Sequence, residues 1–355
     1  MLSQFAAAVT MAQAACSIAD RIEVITPGIA TSVRARAYSV LGITARLRGD
    51  REEAARWLDQ AVTAARASGL REAAGRALFN LGAIAHEGGK LGRAELLYEE
   101  ALTEARTIGD GYGAARVLHA LGIIQKNRGA TERALELFEE SCALKQRIGD
   151  LDGMANSQHG RALVQLCLGR VAAARATMSA VLAASADLGE RRSRAHFLDS
   201  AAMIALVEGD LDAARRFIAD AAEAAADMAE PFLLAGIAVH RALAGLSAGD
   251  IAAAQRDADR AAERISRGGP GVSAGTLDTA AVAACVALAR GDDAGAAAGA
   301  ATLAEQAAGT GFVLWERAAQ RIAATASAVR AGASLPDPRG YPALIYVDRP
   351  IAASG

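Results

Sequence analysis

Arginine recurs at a fixed step in this chain of 355 residues: Arg36, Arg76 and Arg116 stand forty residues apart. A second set keeps the same step, with Ser39, Phe79, His119, His159 and Asp199 in order. Three guanidiniums held in one row can grip carboxylates or phosphates through charge-assisted hydrogen bonds. Imidazoles can bind a metal or move a proton, but a metal needs two or more of them converging within bonding reach. His119 and His159 are a full step apart, too far to share an ion unaided. His159, His196 and Asp199 make the better cluster, because His196 and Asp199 lie one helical turn apart.

Other reactive sets fail on spacing. Adjacent acids such as Glu52 and Glu53 point different ways on a helix and form no catalytic dyad. The segment EGGKLGR at 87–93 lacks the first glycine and the closing hydroxyl residue of a phosphate-binding loop. GDGYG at 109–113 lacks the preceding strand that a dinucleotide loop needs. Cys16, Cys142, Cys167 and Cys285 show no CxxC spacing, so neither a zinc site nor a disulfide framework is expected. No catalytic residue, metal or cofactor is predicted.

The elements that must position the arginines and histidines are helices. Glycines punctuate the chain at Gly49, Gly89, Gly129, Gly169, Gly209 and Gly249, with Gly291 after a two-residue insertion. A second series runs at Gly69, Gly109, Gly149 and Gly189, is lost at Ala229, and returns near Gly268 and Gly309. Two breaks per forty residues mean two helices per repeat, and a fixed period of this size marks a stacked array. Five residues after each glycine of the first series comes an alanine: Ala54, Ala94, Ala134, Ala174, Ala214, Ala254 and Ala296. Four residues further on stand Leu58, Tyr98, Phe138, Met178 and Ile218. That spacing puts a small and a large residue on one helix face, so paired helices can touch beside a filled gap.

These residues resemble the tetratricopeptide repeat. Leu41-Gly42, Leu81-Gly82 and Leu121-Gly122 match the Leu-Gly pair of its first helix, and the alanine series follows twelve residues later. The resemblance covers about residues 10–331 and implies an all-α, right-handed α-solenoid of about seven helix-turn-helix repeats with end-capping helices. The period is longer than the family's usual one, and Gly-Asp or a similar pair replaces its terminal proline. Forty-residue repeats of this kind also resemble the sensor segment of bacterial ATP-binding regulators of the LuxR and maltose-activator type. Neither the nucleotide-binding domain nor the DNA-binding helices of those regulators are read here.

Helix pairs are predicted at about 31–68, 71–108, 111–148, 151–188, 191–228, 231–267 and 274–308. A lone helix at 3–25 precedes them, with Ala14 continuing the alanine series, and a closing helix follows at 310–331. Residues 1–331 form the repeat domain. Residues 332–355, with four of the seven prolines, are expected to be an extended tail with a short strand at Ala343–Val347.

The resemblance implies that the first helix of each pair lines a concave groove. Groove-facing columns then contain Arg36, Arg76, Arg116, Asn156 and His196; Phe79, His119, His159 and Asp199; and Leu163 and Met203, with Asn80 beside them. The groove is cationic toward the N-terminus and apolar toward the C-terminus. Family members hold a peptide C-terminus with basic residues and asparagine, which implies an acidic protein or peptide partner and a regulatory role. Two alternatives stand beside it: a small-molecule sensor with an apolar pocket near Leu163, Leu166, Met203 and Leu206, and an enzyme using His159, His196 or Asp199. A net charge of −2 argues against nucleic acid or an anionic membrane as a direct partner. Neither a signal peptide nor a membrane span is read, and a reducing cytoplasm is the expected location.

Overall fold

The computed structural model describes residues 2–186, 191–267 and 272–348. Every long element among them is a helix, and no strand is present among the described residues. A single helix, α1 (Leu2–Ile22), comes first. Seven pairs follow: α2 (Pro27–Leu47) with α3 (Arg51–Ala67), α4 (Arg71–Glu87) with α5 (Leu91–Thr107), α6 (Gly111–Asn127) with α7 (Thr131–Ile148), and α8 (Leu151–Cys167) with α9 (Val171–Ser185). The last three are α10 (Arg191–Glu208) with α11 (Leu211–Ala224), α12 (Pro231–Ser247) with α13 (Ile251–Arg267), and α14 (Ala274–Ala289) with α15 (Asp293–Ala308). Helix α16 (Val313–Arg330), a 3-10 turn (Pro338–Gly340) and the short α17 (Tyr341–Tyr346) end the described chain.

The Gly-Asp phrase does two jobs at the turns where it occurs. Gly49 takes φ +85°, which L side chains rarely adopt. Its N–H and that of Asp50 return to the carbonyls of Arg46 and Ala45, closing α2. The Asp50 carboxylate then accepts the Glu53 N–H at 2.9 Å and caps α3. Asp110, Asp150, Asp210, Asp250 and Asp292 cap their helices in the same way. A cap that turns the chain within two residues leaves no need for the family's proline. Near the end of the array the left-handed residue is Gly311, not Gly309, which is helical. Gly189 and Gly268 lie outside the described residues.

The alanine series is buried throughout, with Ala54, Ala94, Ala134, Ala174, Ala214, Ala254 and Ala296 all at zero exposure. Their large partners Leu58, Tyr98, Phe138, Met178 and Ile218 are buried beside them. At Gly82 the helices come so close that an added Cβ would lie 2.6 Å from the Tyr98 ring. The series does not extend into α1. There Ala14 is exposed, and Ala12 and Ala19 are buried instead, because α1 packs on α2 with its own register.

The chain divides into two compact units. The first comprises the residues up to Ile124 with Ala143–Gly149, and the second comprises Gln125–Cys142 with the residues from Asp150 onward. Within the first, α2 also touches α4, the leading helix of the next pair. Within the second, the leading helices α8, α10, α12, α14 and α16 touch in succession, so they share one wall. The tail belongs to the second unit and corrects the expected strand. Residues 341–346 are helical, with Pro342 in the first turn and Tyr341, Pro342 and Ile345 buried. An all-helical neighbourhood offers no strand edge, so the backbone satisfies itself locally and through side chains. Arg321 Nε donates to the Leu344 carbonyl at 2.9 Å and Nη2 to that of Ile345 at 3.2 Å.

Candidate binding sites

The leading helices of the first unit enclose an open groove of about 530 Å³. Arg36, Ser39 and Ile43 from α2, Arg76, Phe79 and Asn80 from α4, and Arg116 from α6 line it. The arginine row is therefore assembled in space as well as in sequence. The Arg116 guanidinium lies over the Phe79 ring, 4.4 Å from its centroid, and 5.7 Å from that of Tyr112. Phe79 rests in turn on Tyr98, 5.5 Å between centroids. The aromatic stack thus holds one guanidinium while leaving its donors open to the groove. Arg76 makes only an exposed pair with Glu72 on its own helix, 3.3 Å, a type worth little in water. Asn80 donates to the Arg76 carbonyl at 2.8 Å, which leaves its side-chain oxygen as an acceptor. The ion pairs that bridge successive repeats use other arginines, Arg46 with Glu87 and Arg66 with Glu100.

A second cavity, about 350 Å³, lies in the second unit. His159 and Leu163 of α8, and His196, Asp199, Ser200 and Met203 of α10, line it. His159 Nε2 is 2.8 Å from Ser200 Oγ, and its ring lies against Phe197. Burial, with the charges of His196 and Lys126, pushes the His159 imidazole down to about 3, so it is neutral near pH 7. Burial also lowers His196, although Asp199 and Glu230 act against it. The expected cluster of His159, His196 and Asp199 shares the cavity, but Asp199 is engaged elsewhere. Its Oδ1 accepts from His240 Nδ1 at 2.7 Å, and His240 Nε2 reaches the Tyr346 hydroxyl at 3.1 Å. Burial opposes the charge on His240, but the charge and hydrogen bond of Asp199, with help from Asp278, win and raise it. Both ring nitrogens of His240 are thus engaged. Among the described residues no group of three or more His, Cys, Asp or Glu side chains is placed to hold a metal.

His119 and Asn156 line neither cavity. His119 is half-buried on α6, and the Asn156 amide donates to the Asp152 carbonyl of its own helix at 3.2 Å. The structure adds residues that the repeat columns had not marked. His240 continues the column of Asn80 and Ser200. Asp278 continues that of Arg36, Arg76, Arg116, Asn156 and His196, displaced by the insertion near residue 270. Trp315 donates to Asp278 at 3.0 Å, and Lys126 Nζ lies 5.5 Å from its ring centroid. Arg321, Tyr346 and Asp348 reach the cavity from α16 and the tail, and no repeat signal points to them.

Paired helices in this register, nested through glycine and alanine, define the class by fold: an all-α helical-repeat array of tetratricopeptide-like pairs. Residues 33–107 match the tetratricopeptide repeat family model. Aspartyl phosphate phosphatase F from Bacillus subtilis superposes with a TM-score of 0.65 at 12% identity, over 81% of this chain and 73% of that one. A Rap conjugation gene regulator, solved in complex with a Phr peptide, gives 0.60 at 11% identity, over 84% and 77%. A tetratricopeptide repeat protein from Parabacteroides merdae gives 0.50 at 18%, over 77% and 93%. At these identities the likeness is one of fold. No curated protein sequence matches the chain. No helix among the described residues is long and apolar enough to cross a membrane.

Proposed function

We propose that the protein is a non-catalytic interaction module with a regulatory role, and that its first unit holds an acidic peptide in the arginine-lined groove. One observation carries the reading: Arg36, Arg76 and Arg116 come from three successive leading helices onto one open groove, with Arg116 braced on Phe79. A row of donors at helix spacing suits a chain of carboxylates better than a single anion. Phe79 and Ile43 add apolar contact for side chains between the acids, and Asn80 offers an acceptor to a peptide N–H. That a Rap regulator of the same fold has been solved with a peptide is consistent with this use of the scaffold.

The test is binding of fluorescent Asp/Glu-rich peptides by anisotropy at low and high salt. Binding should weaken as salt rises, because exposed charges are screened. The triple variant Arg36→Ala, Arg76→Ala, Arg116→Ala should lose recognition altogether. Unchanged affinity in the triple variant would refute the row as the binding element.

A further inference from the structure

The second-unit cavity holds two opposite charges, Asp278 and Lys126, that feel each other electrostatically. Asp278 is packed on α14 beneath α16, with one hydrogen bond from the Trp315 indole. Lys126 lies on the face of the same indole ring. Both line the cavity, and neither has an ion-pair partner among the described residues. The other charges nearby are already matched, His240 with Asp199 and Arg321 with Asp348. Both groups adjoin the Trp315 indole, and Leu163, Leu166 and Met203 add apolar wall to the same cavity. A cavity near the lower end of the usual small-molecule range suits a compact ligand.

We propose that this cavity binds a small zwitterion, an apolar amino acid or dipeptide, with its ammonium at Asp278, its carboxylate at Lys126 and its side chain against Leu163 and Met203. The site is independent of the arginine groove, which lies in the other unit. Burial raises the Asp278 carboxyl although the Trp315 hydrogen bond, His240 and Lys126 act against it, so an ammonium in contact would further favour its charged form. A lone cation ligand would leave Lys126 unmatched, and a lone anion would leave Asp278 unmatched. A ligand with both charges satisfies both groups in one step. The Tyr346 hydroxyl on His240, and the grip of Arg321 on the tail backbone, close the cavity on the side where α17 lies.

Calorimetric titration of the full chain decides this, with leucine, phenylalanine and the dipeptide Leu-Leu as probes. N-acetyl-leucine and leucine amide, each lacking one charge, serve as controls. The unblocked probes should bind, and each blocked form should bind roughly tenfold or more weakly, as loss of a charge-assisted bond implies. Asp278→Asn should erase the preference for a free ammonium and keep that for a free carboxylate, and Lys126→Met should do the reverse. The triple arginine variant of the groove should bind the probes unchanged. A preference for Leu-Leu over leucine would assign the site to peptide ends, and the opposite would assign it to free amino acids. No heat with any zwitterion, or blocked forms binding as well as free ones, overturns the proposal. The blocked probes report on the unaltered chain, so the result stands even where a variant folds poorly.

Discussion

His159 and His240 face one cavity with basicities shifted in opposite directions, and the cause is local. His159 has Ser200 and an aromatic ring for neighbours, so burial dominates. His240 has a carboxylate in contact, so the ion pair dominates. Each predicts a different limb of stability against pH. His159 is lowered, so its contribution is complete above the unfolded value near 6.5 and is lost as pH falls from there toward 3. At pH 5 that loss is roughly 2 kcal/mol. His240 is raised, so its contribution is complete below about 6.5 and is lost as pH rises through its folded value. Urea midpoints should therefore peak near neutrality, and His159→Gln should flatten the decline between pH 6.5 and 5. An unchanged acid limb in that variant would contradict the assignment. Tyr346→Phe, which removes one hydrogen bond, should lower stability by about 1 kcal/mol.

Helices meet in this protein through residues chosen for what they lack. Ala134 has no exposed surface and Phe138 fills the space beside it. Ala134→Leu should overpack that contact and cost roughly 1–3 kcal/mol by chemical denaturation. Gly82→Ala should cost a similar roughly 1–3 kcal/mol, because the new methyl meets the Tyr98 ring before the helices can separate. This level was legible in advance: the alanine and glycine series mark helix pairs to within a few residues. The exceptions have physical reasons. Helix α1 packs on α2 in its own register, so Ala12 and Ala19 face inward and Ala14 turns outward. The tail carries β-branched and aromatic residues that suggest a strand, but no edge is available to pair with it.

In the second unit the array is held by contacts between neighbouring helices, and stability in such arrays is close to a sum of local terms. The tail is the exception. Arg321 holds its carbonyls, the Asp348 N–H returns to the Cys167 carbonyl at 2.8 Å, and Tyr346 reaches His240. It therefore ties α8, α12 and α16 together across the repeat order. Truncation after Ala331 should raise amide exchange in those three helices and leave α2–α5 unchanged. Uniform protection in the truncated chain would mean that the tail contributes nothing to the unit.

The sequence by itself determined what repeats: two helices per forty residues, the nesting of glycine and alanine against larger side chains, and the rows of arginine and histidine. Periodicity encodes these because each depends only on a residue's neighbours within one repeat and the next. The tertiary structure alone decided what meets across many repeats. Asp199 finds His240 in the following repeat, His240 finds Tyr346 more than a hundred residues later, and Trp315 places Asp278 beneath Lys126. Such contacts depend on where a closing helix and a tail come to rest, and no local pattern carries that information.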